Sequence, residues 1–189
     1  MARANKRTSI KWLSLTALFA ALTAAGAFFR IPTPWSAYTL QILFVCMAGL
    51  LLGPKYGALS QLVYLLLGLA GLPVFSGGGG PAYVLHPTFG FLLGYLAAAF
   101  LIGFLCRKDP SPRRMAAACA AGLAVIYFAG LPYMALILNV YLGRGVDLWG
   151  LLWLGMLPFL PADALKIAAA VFLSRRLLPA LDRGAGRET

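Results

Sequence analysis

The stretch that decides the fold is Tyr56–Cys106, YGALSQLVYLLLGLAGLPVFSGGGGPAYVLHPTFGFLLGYLAAAFLIGFLC, which contains no Asp, Glu, Lys or Arg. A soluble domain must clothe itself in charge, and a run of about 18 or more apolar residues is the ordinary signature of a membrane-spanning helix. This run is long enough for more than one. Glycine and proline interrupt it between Gly71 and Pro81, so it reads as two helices joined by a glycine-rich loop. The whole 189-residue chain is 61% hydrophobic, which extends the membrane reading to both sides of the run.

Working outward, apolar segments predict helices over Ile10–Phe29, Leu40–Leu52, Gly57–Leu72, Pro87–Cys106, Met115–Tyr141 and Pro161–Leu178. The expected fold is therefore all-α: a bundle of about six transmembrane helices with a re-entrant glycine-rich outer loop, forming one membrane domain over residues 1–189. Six spans put the N-terminus, Lys55, the Arg107–Arg114 loop and the C-terminus on one side. That side holds all but three of the 16 Lys and Arg residues, the exceptions being Arg30 and Arg144 opposite and Lys166 within a span. Basic loops mark the cytoplasmic face, so both termini are expected there. The net charge of +11 then reflects topology and attraction to anionic lipid in the bilayer. It is not a nucleic-acid platform, because the basic residues are dispersed over short loops.

The first segment has the basic start and small-residue end of a secretory signal. Its apolar part is longer than the 7–15 residues, roughly, of such a signal, so it is read as a membrane helix. Ala17/Ala21 and Ala20/Ala24 repeat a small residue every four positions, the pattern that lets membrane helices approach closely. Internal packing and docking of another membrane protein both fit it. Cys46, Cys106 and Cys119 are scattered in or beside apolar segments and read as packing residues. With a single histidine, His86, and no metal-ligand spacing, no metal or cofactor site is expected.

Two charges interrupt the apolar stretch Leu148–Leu178: Asp163 and Lys166. Each costs about 2.5–3.5 kcal/mol at membrane depth on insertion scales, so such residues are rare and usually meet a partner or a polar cavity. Three residues apart, they share one helix face. At about 1.5 Å per residue the stretch would run to about 46 Å, more than a hydrocarbon core of about 30 Å. A break at Pro158 or Pro161 is therefore expected, with Pro161 in the first turn of the last helix. Asp163 then lies near the positive end of the helix dipole, with Lys166 one turn deeper, both in the outer half of the bundle.

Other uncharged polar groups gather at the same outer face. Thr39 and Gln41 open the second apolar segment, beyond the turn Pro32-Thr33-Pro34-Trp35. Tyr95 lies about two turns into the fourth, and Asn139 near the outer end of the fifth. Gly77–Gly80 leave backbone amides open to a ligand, while nothing of the Gly-Lys-Ser/Thr kind follows them to make a phosphate cradle. Irregular backbone at membrane depth must line a cavity or be buried in protein, so the loop is expected to fold back over the bundle. Ser76 and His86 also permit the reading of an intramembrane hydrolase. Both lie in a loop without an orienting acid nearby, and that reading would leave Asp163 and Lys166 unexplained.

Together, Thr39-Leu40-Gln41, Gly71-Leu72-Pro73-Val74-Phe75 with its glycines, Pro87-Thr88-Phe89-Gly90-Phe91 and Pro161-Ala162-Asp163-Ala164-Leu165-Lys166 resemble the BioY family of biotin transporters. The resemblance covers nearly the whole chain. Two departures are Ala162, where glycine is expected before the aspartate, and Phe89, where a second glycine is common. The resemblance implies a non-enzymatic, substrate-binding S component of an energy-coupling factor transporter in the bacterial cytoplasmic membrane, with biotin as substrate and no cofactor. It also implies partners, a transmembrane coupling protein and two cytoplasmic ATPases, since this chain has no nucleotide-binding motif. Asp163 is then expected to accept from the ureido N–H and Lys166 to donate to a ligand oxygen. Gln41, Thr39 and Asn139 would complete the polar shell, Phe75 and Tyr95 would pack on the bicycle, and Gly77, Gly78 and Gly79 would close over it. The alanine face of Ala17, Ala20, Ala21 and Ala24 becomes the expected docking surface. An S component for another vitamin is the alternative.

Overall fold

The computed structural model describes residues 2–33, 35–107 and 110–183; Pro34 of the proline-rich turn, Lys108 of the basic loop and the last basic residue, Arg187, lie outside the described residues. Its elements are α1 (Ala2–Phe28), the short strands β1 (Ile31–Pro32) and β2 (Ala37–Tyr38), α2 (Gln41–Leu69), a 3-10 turn (Pro81–Leu85), α3 (Phe89–Cys106), α4 (Pro112–Ala135), α5 (Leu148–Gly155) and α6 (Leu160–Arg183). Four of these helices are long and apolar enough to cross a membrane, and the bent α5–α6 pair makes a fifth candidate.

The second and third expected helices are the two arms of α2. They are continuous except at Gly53, whose φ of 73° and ψ of −175° break the helix immediately before Pro54. Only glycine adopts that backbone cheaply, and proline cannot donate to the preceding turn. The chain then doubles back on itself: Gln41 Nε2 donates to the Tyr64 hydroxyl at 2.6 Å. In a straight helix residues so separated would lie about 34 Å apart. Gly57 packs directly on the backbone of Ala48 and Gly49 inside this hairpin, so the arms touch without intervening side chains. With α1, α3, α4 and α6, the arms make six helical rods.

The two ends of the bundle differ in charge. At one end the Lys11 ammonium donates to the Leu181 carbonyl at 2.8 Å, Trp12 stacks on Tyr56 beside the Gly53–Pro54 bend, and Arg114 Nε donates to the Leu105 carbonyl at 2.6 Å. This gathers Lys11, Lys55, Arg107 and Arg114 as the even number of rods requires. At the opposite end are Arg30, the glycine loop and the α5–α6 break, tied by Leu40 N to Gly26 O at 3.0 Å and by the Tyr38 hydroxyl to the Pro158 carbonyl at 3.0 Å. The core between the ends is apolar. Cys46 and Cys119 are fully buried in it with Ile102, Met115 and Ala170, as packing residues should be.

Two boundaries differ from expectation. The fifth helix keeps regular geometry only to Ala135 and widens into a π-helical stretch over Leu136–Tyr141. Pro132 lies in the turn before it and removes one backbone donor, a common cause of such local changes. The last helix runs beyond Leu178 to Arg183, with Pro179 inside it. At its start the expectation held: α5 ends at Gly155, α6 begins at Leu160, and the two meet at 42°. Asp147 starts α5 by accepting from the Gly150 amide at 2.9 Å.

Candidate functional site

The break before α6 brings Asp163 into the bundle near the loop end. Its amide already donates to the Phe159 carbonyl at 2.9 Å, so the residue belongs to the first helical turn. The side chain is 1% exposed, and each carboxylate oxygen has a partner: Lys166 Nζ reaches Oδ1 at 2.8 Å and the Tyr127 hydroxyl donates to Oδ2 at 2.5 Å. A buried carboxylate without such partners would be strongly destabilising. Each oxygen retains a further lone-pair direction, and the ammonium two further N–H donors.

These groups face a cavity of about 60 Å³. Its polar lining comes from Thr39 and Gln41 at the start of α2, Ser36, Ser76, Thr88, Tyr95 from α3, Tyr127 from α4, and Asp163 and Lys166 from α6. Its apolar lining includes Ile42, Phe91, Leu92, Ile126 and Phe159. On the wall facing Asp163, Thr39 Oγ1 donates to Gln41 Oε1 at 3.1 Å, Gln41 Nε2 donates to the Tyr64 hydroxyl, and that hydroxyl donates to the Val74 carbonyl at 3.2 Å. The chain of bonds leads from the cavity directly into the loop. It holds Gln41 in place while leaving an amide N–H and carbonyl lone pair to spare.

The glycine-rich loop does fold back on the bundle, and its aromatic residue goes inward. Phe75 is 4% exposed, edge-on to Tyr64 at 5.4 Å and tilted on Tyr83 at 4.6 Å. Gly68 makes room for it, since a Cβ there would overlap the Phe75 ring. Backbone pairs Phe75 N to Gly78 O at 2.9 Å and Gly80 N to Gly68 O at 2.7 Å close the turn.

Of the residues singled out in the sequence, the structure thus brings together Thr39, Gln41, Tyr95, Asp163 and Lys166 around one cavity. It sets others apart from that lining. Phe75 packs behind the wall, Gly77 faces Tyr83 and His86, Gly78 pairs with Phe75, and Gly79 is pressed against the Leu72 carbonyl. Asn139 pairs with Val146, donating from Nδ2 to its carbonyl at 2.8 Å and accepting from its N–H at 2.6 Å, which pins the loop before α5. Sequence reasoning missed Tyr127, Phe91 and Phe159. A phenol in mid-span was a weak signal for Tyr127; Phe91 and Phe159 carry none beyond their place beside motifs.

Ser76 lines the cavity, but the His86 ring is engaged elsewhere. Its Nδ1 lies 2.7 Å from Thr88 Oγ1 and the ring stacks on Tyr83, with burial holding the imidazole pKa below its ordinary value. On the outside of α1, Ala17, Ala20, Ala21 and Ala24 line an apolar groove of about 410 Å³ with Val63 and Leu67 of the second α2 arm.

Comparison with known proteins finds this chain similar to transporters. A family model described as the BioY family matches residues 2–183. The probable biotin transporter BioY of Lysinibacillus sphaericus is 44% identical over 174 residues, covering 91% of this chain and 89% of that protein. The biotin transporter BioY of Thermotoga maritima is 38% identical over 161 residues, covering 85% and 91%. A crystal structure of the S-component for biotin from an ECF-type ABC transporter superposes with a TM-score of 0.80 at 31% identity, covering 90% of this chain and 92% of that one.

Proposed function

Because this chain belongs to the BioY family, we propose that it binds biotin and carries it across the membrane as the S component of an energy-coupling factor transporter. The observation that carries the reading is a buried carboxylate, ammonium and phenol converging on a cavity otherwise walled by aromatic and aliphatic side chains. A ureido group needs both an acceptor and a donor, and its apolar bicycle needs such walls. Asp163 accepts from the ureido N–H, and Lys166 donates to a ligand oxygen. Thr39 and Gln41 complete the polar shell, Tyr95 packs on the bicycle, and the glycine loop backs the wall of the site through Phe75. A site built to bond a polar group rejects analogues that lack it, since its own buried groups are then left unpaired.

Heating the detergent-solubilised protein with a panel of vitamins tests the assignment. Biotin should raise the melting temperature and the others should not, because a ligand that binds only the folded state stabilises it. Stabilisation by a different vitamin alone would replace biotin by that vitamin. Desthiobiotin, which keeps the ureido group, should bind far more tightly than an analogue without it, and equal binding would remove Asp163 and Lys166 from the contact.

Energy must come from elsewhere. The coupling protein docks on the alanine groove of α1, where Ala17 and Ala21 are exposed and their methyl side chains let a partner helix come close. Two cytoplasmic ATPases supply the work. The basic end of the bundle faces the cytoplasm of a bacterial cell, with both termini there, following the charge asymmetry. Uptake of biotin by a biotin-requiring host expressing this chain, with and without coupling components, tests the dependence; equal uptake would show that the chain works alone.

A further inference from the structure

The cavity around Asp163 is too small to be the whole site. Small-molecule pockets usually span about 300–1,000 Å³, and this one is about 60 Å³. A second space of about 440 Å³ lies on its outer side. Ser36, Ala37, Ser76 and Thr88 line both, so the two are in series through a neck of small side chains. Together they reach the usual range.

Charge is distributed unevenly along this path. In the inner cavity the Lys166 ammonium is neutralised by Asp163 at 2.8 Å, so the pair offers hydrogen bonds without net charge. The outer vestibule is lined by Arg30, whose guanidinium has no hydrogen-bond or ion-pair partner among the described residues, and by no acidic side chain. His86 also lines it, but its Nδ1 is occupied by Thr88. The other cation at this end, Arg144, lies over the Trp35 ring at 5.2 Å and is not part of the lining.

We propose that the vestibule is an anion subsite in which Arg30 receives the carboxylate at the end of the ligand's tail while the uncharged head occupies the inner cavity. The tail passes between Ser36, Ser76 and Thr88. This rests on the biotin reading above and deepens it, fixing which end of the ligand enters first. It also makes Arg30 a specificity residue for acids over their neutral derivatives. The pair stays partly in water, which keeps its contribution modest.

Titration of the purified full-length protein with biotin and with its uncharged methyl ester tests the subsite. The unaltered protein should prefer biotin by about fivefold, the scale of a partly exposed ion pair. Arg30→Gln should weaken biotin to the level of the ester and leave the ester unchanged, whereas Arg144→Gln should keep the preference. Equal weakening of both ligands by Arg30→Gln, or none, would overturn the subsite, as would a preference that disappears with Arg144→Gln instead. Binding of neither ligand by the unaltered protein would sink the biotin reading, a result distinct from a lost preference. Melting temperatures of the unliganded variants close to that of the unaltered protein establish that the comparison is between folded molecules.

Discussion

The polar cavity before α6 and the glycine loop lie side by side at one end of the bundle, and both drew attention in the sequence as ligand contacts. The structure uses them differently. In the cavity, Lys166 and Tyr127 satisfy Asp163, Thr39 and Tyr64 hold Gln41, and Asp163, Lys166 and Gln41 still keep bonding directions to spare. At the loop, close packing takes the space: Gly68 at the end of α2 yields its side-chain volume to Phe75, and Gly79 sits on the Leu72 carbonyl. Unusual composition can thus mark a place where polar groups keep bonding directions free or a place where backbone must come close, and only neighbours across the fold tell the two apart.

The sharpest way to break that contrast is at the ion pair. Lys166→Met strands a buried carboxylate, with an expected loss of about 3–5 kcal/mol of stability and of biotin binding together. Adding Asp163→Asn should restore the melting temperature, since no buried charge remains, but not binding. If the double variant also regains binding in a titration, the pair is a structural tie and the cavity, like the loop, serves packing.

Phe75→Ala comes next. Emptying the space against Tyr64 and Tyr83 should cost about 3 kcal/mol, read as a lower melting temperature. Discrimination between desthiobiotin and analogues without the ureido group should survive it. Loss of that discrimination would move Phe75 from the wall into the site. Gly68→Ala acts on the same contact from the other side. Overpacking should cost about 1–3 kcal/mol, less when combined with Phe75→Leu, and an additive pair would mean that the two residues do not compete for one space.

The smallest effect concerns pH. Burial lowers the His86 pKa from its ordinary 6.5, so the folded state favours the neutral ring. The unfolded chain therefore binds the proton more readily, and stability present above that ordinary value is lost as pH falls through it. The melting temperature should drop between about pH 7.5 and 5.5, and His86→Gln should flatten the change. An equal slope in the variant would assign the dependence to other groups.

Much of the architecture was legible because the bilayer imposes lengths and penalises charge. Apolar segments separated by basic turns revealed the rods, and Lys55 between two of them marked a reversal. Pro158 and Pro161 marked the break before α6. Asp163 and Lys166 stood out for the same reason, since two charges in an apolar segment demand partners. Asn139 shows where such reasoning stops. Its amide looks like a ligand contact in the sequence, yet it pairs with both backbone groups of Val146, seven positions later, outside the cavity lining.

By itself, then, the sequence determined a multi-helix membrane bundle, the gathering of its basic turns at one end, and a last helix carrying a charged pair near its start. Those follow from hydrophobicity, proline chemistry and helical spacing, which act locally along the chain. Only the tertiary structure decided that Tyr127 completes the coordination of Asp163, that Phe75 packs on Tyr64 and Tyr83, and that a second space lined by Arg30 continues the cavity outward. These depend on side chains distant in sequence meeting in one place. A hydrogen bond or a packed ring is a property of the pair, and neither partner announces it alone.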